Sequence, residues 1–217
     1  MTDRVAIIPA RGGSKRISRK NIRDFFGRPI IQYSIENAQR VCTRVIVSTE
    51  DAEIAQFAKD LGCEVHQRSF EMARDEVGTQ AVAANVLQDM RIKLARVLLV
   101  YPCAPLVAAV DFQEALEHRG YAVAVGAEPL RDGGAFYAGS ARDFREQVPL
   151  YNRNTRLVVL PEERVCDINE ESDWLTAESK YARQHGLQDP QISRCSLVEE
   201  VAKRLGGFVE NGTMVIP

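Results

Sequence analysis

Short apolar runs alternate with segments of helical period along most of this chain, which restricts it to an α/β domain on a mixed, mainly parallel central sheet. Residues 5–9 (VAIIP), 44–48 (RVIVS), 64–66 (EVH), 96–101 (RVLLVY) and 121–126 (YAVAVG) have strand length. Between them, residues 30–38, 49–61, 79–87 and 111–118 repeat apolar side chains three and four apart, as helices lying on a sheet do. RVLLVY is the most continuous apolar run and belongs at the sheet centre, where both faces are covered. Pro29 suits a first helical turn, Thr49 is placed to cap the next helix, and Gly62 closes it. Shorter strands are expected at 134–139 (GAFYAG) and 156–160 (RLVVL), then a helix over 170–184. The tail differs in texture: a linker at 186–190, an amphipathic helix over 196–205, and an Asn211-Gly212 turn between apolar flanks. The expected division is a domain over residues 1–185 and a C-terminal extension over 186–217.

Composition narrows the function. With 217 residues, 45% of them hydrophobic, the chain can bury one substantial core. A net charge of -2 argues against nucleic acid as a partner. No apolar run has membrane-spanning length, and the N-terminus opens on a charged strand instead of a secretion signal. The five cysteines are odd in number and lack C-x-x-C spacing, which points to reduced thiols in a cytoplasmic protein. The three histidines are scattered, as surface or internally satisfied residues are.

The first strand runs directly into a basic loop, Ala10-Arg11-Gly12-Gly13-Ser14-Lys15-Arg16-Ile17-Ser18-Arg19-Lys20-Asn21, which holds five cations and no carboxylate. A buried strand that delivers such a loop to the carboxyl edge of a sheet suits a polyanionic nucleotide: glycines admit backbone N–H groups close to phosphate oxygens, and the cations neutralise charge. The G-x-x-x-x-G-K-[ST] phosphate loop and the dinucleotide G-x-G-x-x-G are both absent. Glu50 after the second strand imitates a ribose-binding acid, but the glycine pattern of that fold is missing. A nucleotidyltransferase, which must neutralise a triphosphate while its α-phosphorus is attacked, fits better.

The loop from Ile8 to Asn21 resembles the N-terminal motif of the cytidylyltransferases that activate nine-carbon α-keto acid sugars, of sialic and pseudaminic acid type. The resemblance continues through residues 27–35 (GRPIIQYSI), 47–50 (VSTE), 101–106 (YPCAPL), 134–137 (GAFY) and 165–174 (VCDINEESDW), and so covers roughly residues 4–183. It implies a Rossmann-like nucleotide-diphospho-sugar transferase fold and a reaction of CTP with an acidic sugar, dependent on Mg2+, in a homodimer. Carried over by position, Arg11, Lys15 and Lys20 are the triphosphate-contacting cations, with donors from Ala10, Gly12, Gly13 and Ser14. Asn21 resembles a nucleotide-contacting asparagine and Arg68 an arginine beside the cytosine ring. Asp75, Thr79 and Pro102 complete the nucleotide pocket, Thr79 serving equally as a helix cap. Phe136 and Tyr137 fall on the sugar side, and Cys103 is a packing residue. Asp167 and Asn169 stand where the family holds its metal.

Three departures define the alternatives. Asn169 replaces a second aspartate, which removes a full charge from the metal site; at an effective dielectric of about 20, a unit pair at ~4 Å is worth on the order of 4 kcal/mol. The segment between Gly126 and Gly134, part of the family's sugar site and dimer extension, is much shorter here. Residues 183–217 have no counterpart in the family pattern; they are placed to cover a sheet edge or to supply an interface. The rival readings are a cytidylyltransferase for a smaller acceptor, such as an eight-carbon keto acid or a phosphonate, and a CTP-binding relative without turnover.

Overall fold

The computed structural model describes residues 3–127 and 130–191, together with the backbone of Phe208–Glu210 and Thr213–Val215. Seven strands form the main sheet: β1 (Arg4–Pro9), β4 (Arg44–Thr49), β5 (Glu64–Gln67), β6 (Arg96–Val100), β7 (Ala122–Gly126), β8 (Arg131–Ser140) and β9 (Arg156–Leu160). β2 (Asp24–Phe25) and β3 (Arg28–Pro29) form a separate small hairpin. The sheet order is β5-β4-β1-β6-β8-β7-β9, which puts RVLLVY in the middle as its apolar continuity requires. Only β8 among the strands of this sheet runs against the others, antiparallel to both β6 and β7.

Side chains alternate across the sheet into two cores. Ala6 and Ile8 of β1 face one layer, with α1 (Ile30–Gln39), α2 (Ala52–Asp60) and α4 (Ala109–Glu117) contributing Ile31, Ile35, Ile54, Ala58, Phe112 and Ala115. Val5 and Ile7 face the other layer, which α3 (Thr79–Asp89) and α5 (Ala141–Arg145) cover with Val82, Ala83, Val86, Leu87 and Phe144. A third cluster joins the β2–β3 hairpin to α6 (Glu171–His185): Phe25 stands edge-on to Tyr33, Trp174 and Tyr181 at ring separations of 5.4–5.6 Å. This aromatic knot ties the end of the basic loop to the segment that follows Asp167.

The differences from expectation have local causes. GAFYAG extends at its N-terminal side, because a register shift between Val123 and Val125 lets Arg131 and Asp132 pair with Gly126 and Val125. Asp51, not Thr49, caps α2: its carboxylate accepts the amides of Glu53 and Ile54, whereas Thr49 ends β4. Likewise Gly78, not Thr79, is the cap position of α3. The hairpin turn at Phe26-Gly27, with both residues at positive φ, carries no Asn-Gly or Asp-Gly signal and escapes the periodicity argument. In the tail, Phe208–Glu210 pairs antiparallel with Thr213–Val215, as the Asn211-Gly212 signal predicts. The helix expected over 196–205 lies outside the described residues.

Candidate active site

The parallel strands all end on one edge, and there the chain opens a cavity of about 270 Å³. Loops after β1, β5 and β6 supply its walls, together with Thr79 and Val82, Gly134 of β8 and the turn before α6. Arg11, Ser14, Lys15, Lys20, Asn21, Arg68, Asp75, Thr79, Pro102, Asp167 and Asn169 all line it. Gly12 and Gly13 instead border an adjoining cleft that shares Arg11, Lys15 and Asp75 with the first. Ala10 is fully buried beneath the loop, where its amide donates to the Ser48 carbonyl at 2.9 Å.

The loop is held from outside, not by helical structure of its own. The Asn21 amide donates to the Arg11 carbonyl at 2.8 Å, and its oxygen accepts the Cys103 thiol at 3.1 Å. Asn21 is thus a brace for the loop, with both ends of its side chain engaged. Burial pushes the Cys103 thiol up to about 12, as befits a packing residue with no thiolate to offer. Lys20 donates to the Ile168 carbonyl at 2.6 Å and joins the loop to the segment that carries Asp167. The Gly12 amide donates to Glu50 at 2.7 Å and the Ser14 amide to the Gly12 carbonyl at 3.0 Å. Neither of these two backbone donors is left unengaged. Gly12 must be glycine, because a Cβ there would lie 2.3 Å from a carboxylate oxygen of Asp51.

Charge in the cavity is balanced at close range. Asp75 pairs with Arg11 through one oxygen and with Lys15 through the other. Those two partners hold the Asp75 carboxyl below its usual range, and the hydrogen bond to Asp75 raises Lys15. Asp75 thereby links the two cations to each other. Arg68 is nearly buried beside Glu50, and its Nε–H is buried without a partner. Burial pulls its guanidinium below the ordinary arginine range, against the opposing pull of Glu50. The Thr79 hydroxyl stands 3.4 Å from the Tyr101 hydroxyl.

Asp167 is exposed at the cavity wall, with one carboxylate oxygen accepting the Asn169 amide nitrogen at 2.7 Å. The Asn169 oxygen accepts Arg16 at 2.8 Å. Both ends of that amide are thus engaged, its nitrogen on Asp167 and its oxygen on Arg16. Among the described residues no cluster of three or more His, Cys, Asp or Glu side chains could hold a metal by itself. A single carboxylate is nonetheless the usual protein share of a magnesium site whose other ligands are phosphate oxygens and water.

Phe136 and Tyr137 are not pocket residues. Phe136 is fully buried edge-on to Phe112, at a ring separation of 5.1 Å, and Tyr137 packs in the opposite core while donating to Asp132 at 2.6 Å. Two roles escape a reading of the sequence: that of Glu50, which accepts the Gly12 amide of the loop, and that of Gly134, whose missing Cβ makes room for Asp167. The glycine at the head of GAFYAG was the available signal for the second.

No helix among the described residues is long and apolar enough to cross a membrane. The pseudaminic acid cytidylyltransferase of Campylobacter jejuni (serotype O:2) is 30% identical over 225 aligned positions, which take in 83% of this chain and 97% of that protein. Since 83% of 217 residues is spread across 225 positions, the relative carries stretches with no counterpart here, as the short link before Gly134 leads one to expect. Among solved structures, a CMP:2-keto-3-deoxy-manno-octonic acid synthetase complexed with CTP superposes with a TM-score of 0.66 at 16% identity, covering 86% of this chain and all of that one. A Mycobacterium tuberculosis protein determined with manganese matches with a TM-score of 0.59 at 13% identity, over 80% of this chain and 96% of its own. These two likenesses are of fold. The cytidylyltransferase family model matches residues 5–119, from the first strand through the cavity-lining loops, and with the Campylobacter relative it establishes that the chain belongs to the cytidylyltransferase family.

Proposed function

We propose that the chain transfers the cytidylyl group of CTP to the anomeric hydroxyl of a nine-carbon α-keto acid sugar of the pseudaminic acid type. The hydroxyl oxygen attacks the α-phosphorus and the bond from that phosphorus to the oxygen bridging the β-phosphate breaks. Pyrophosphate leaves with the bonding electrons, and the hydroxyl proton passes to solvent. The observation that carries this reading is the convergence of Arg11, Lys15, Lys20, Arg68 and Asp167 on one cavity at the carboxyl edge of the sheet.

Arg11, Lys15 and Lys20 neutralise the triphosphate and the charge that builds on the departing pyrophosphate. Arg68 reads the base. Its guanidinium lines the cavity, and a guanidinium donor suits the acceptors O2 and N3 of cytosine; uracil presents a donor at N3 instead. Asp167, oriented by Asn169, is the carboxylate that fits Mg2+ alongside substrate phosphates. When bound, the ion supplies further charge neutralisation at the triphosphate. The cytoplasm, where CTP is held, is the compartment for this chemistry, and the described cysteines, all free thiols, accord with it.

Mixing the protein with CTP, Mg2+ and a panel of α-keto acid sugars while measuring pyrophosphate tests the proposal. Release with a nine-carbon acceptor supports it; CTP binding without release for any acceptor sinks it. The engaged amide of Asn169 favours, as a second reading, a relative that binds CTP without turning it over. A rise in pyrophosphate release on Asn169→Asp identifies the missing carboxylate as that defect, and an unchanged or lower rate leaves Asn169 as the residue that orients Asp167.

A further inference from the structure

Glu50 follows β4 at the carboxyl edge and lines the adjoining cleft, not the main cavity. Its side chain is only 10% exposed, yet both of its oxygens are spoken for from opposite directions. One accepts the Gly12 amide at 2.7 Å, and the other accepts Nη2 of Arg68 at 3.2 Å. Gly12 belongs to the basic loop, whereas Arg68 follows β5 and lines the main cavity, with its Nε–H buried and unpartnered. The next residue reinforces the loop contact, because Asp51 fills the space beside Gly12 and pairs with Arg19 further along. One turn at the end of β4 therefore grips the basic loop at two points and the arginine at a third.

We infer that Glu50 is a positioning residue that holds the phosphate loop and the base-reading arginine in one register, so that base selection and triphosphate binding depend on the same buried carboxylate. The inference rests on the proposed role of Arg68 at the base. A carboxylate is required because it accepts from both sides. A glutamine has one oxygen for the two donors, so whichever of Gly12 and Arg68 it serves, the other meets an N–H2, and the register they share is lost.

The sign of one effect separates positioning from simple electrostatics. Removing an anion near a phosphate site strengthens anion binding if charge alone matters, whereas losing the register weakens it. Isothermal titration of the intact protein and of Glu50→Gln with inorganic tripolyphosphate, CTP and UTP reads this out, with circular dichroism and thermal unfolding as fold controls. We expect Glu50→Gln to weaken tripolyphosphate and CTP by about tenfold or more, the loss of a hydrogen bond to a charged group, and to narrow the preference for CTP over UTP. Unchanged or tighter tripolyphosphate binding overturns the role of Glu50 at the loop, and an unchanged CTP preference overturns its coupling to Arg68. Glu50→Asp, which keeps the charge but shortens the reach, is expected to weaken both ligands as well and serves as the test if the glutamine variant does not fold. A wild-type protein that binds neither CTP nor tripolyphosphate overturns the proposed function itself, and Glu50 with it.

Discussion

Gly134→Ala separates the placement of Asp167 from the rest of the site. Gly134 sits at φ +58°, and a Cβ added there would lie 2.6 Å from both Cβ and Cγ of Asp167. Non-bonded carbons rest at about 3.5–4.0 Å, so Asp167 and its turn must withdraw by about 1 Å. The left-handed backbone adds about 1–2 kcal/mol for a residue with a Cβ. In a domain of this size each kcal/mol lowers Tm by about 2–4 °C, so thermal unfolding should show a fall of several degrees. The cost to turnover is expected to be greater, since a misplacement of about 1 Å at a reacting centre costs about 10²-fold. The assay is pyrophosphate release with CTP, Mg2+ and a keto-acid acceptor, alongside CTP titration without metal. The account predicts a large loss of kcat/KM with metal-free CTP affinity nearly intact. A variant that unfolds earlier but turns over at the wild-type rate would refute the idea that this glycine exists to seat Asp167.

Further outcomes follow from other contacts. Cys103, its thiol pushed up to about 12 by burial, should resist maleimide in the native protein at pH 8, and Cys103→Ser should retain turnover; mass spectrometry and the pyrophosphate assay check both. Asp51 is held below its usual range by Arg19 first and by its capping of α2, so its contribution to stability is complete above the ordinary carboxylate range and lost as pH falls through the depressed value. Asp51→Ala should therefore cost about 1–2 kcal/mol at pH 7, and urea unfolding should show that difference shrinking in acid. Trp174, the chain's one tryptophan, is fully buried against Phe25 with the Arg23 guanidinium 4.3 Å from its ring centroid. Trp174→Ala should cost about 3–5 kcal/mol in urea unfolding, and the fluorescence of the native tryptophan should respond to CTP through Lys20 and the turn before α6.

The sequence made the site legible where its signal was local. A strand of five apolar residues running into a glycine-hinged cluster of cations points to a mainly parallel sheet with a site at its carboxyl edge; the sheet is found, and the cavity opens at that edge. Partners fixed by tertiary approach were hidden. Nothing near Gly12 in sequence reveals that its amide meets Glu50, 38 positions away, or that Asp75 bridges Arg11 and Lys15. Phe136 and Tyr137 misled for a related reason. Successive residues of a strand face opposite sides, and β8 is covered on both, so each ring enters a core and neither reaches the cavity. Asn169 was legible as a substitution, but its engagement by Arg16 and Asp167 depends on a loop more than 150 residues away meeting the turn before α6. The two-residue offset of the α2 cap, from Thr49 to Asp51, is the ordinary uncertainty of an element boundary, resolved here by which side chain reaches the first amides.

A crystal structure of the protein with CTP and Mg2+ tests the central claim most directly. The account predicts the cytosine ring within hydrogen-bonding distance of Arg68, the phosphates on Arg11, Lys15 and Lys20, and the ion on Asp167. A nucleotide seated in the adjoining cleft at Gly12 and Gly13, away from Arg68 and Asp167, would contradict it.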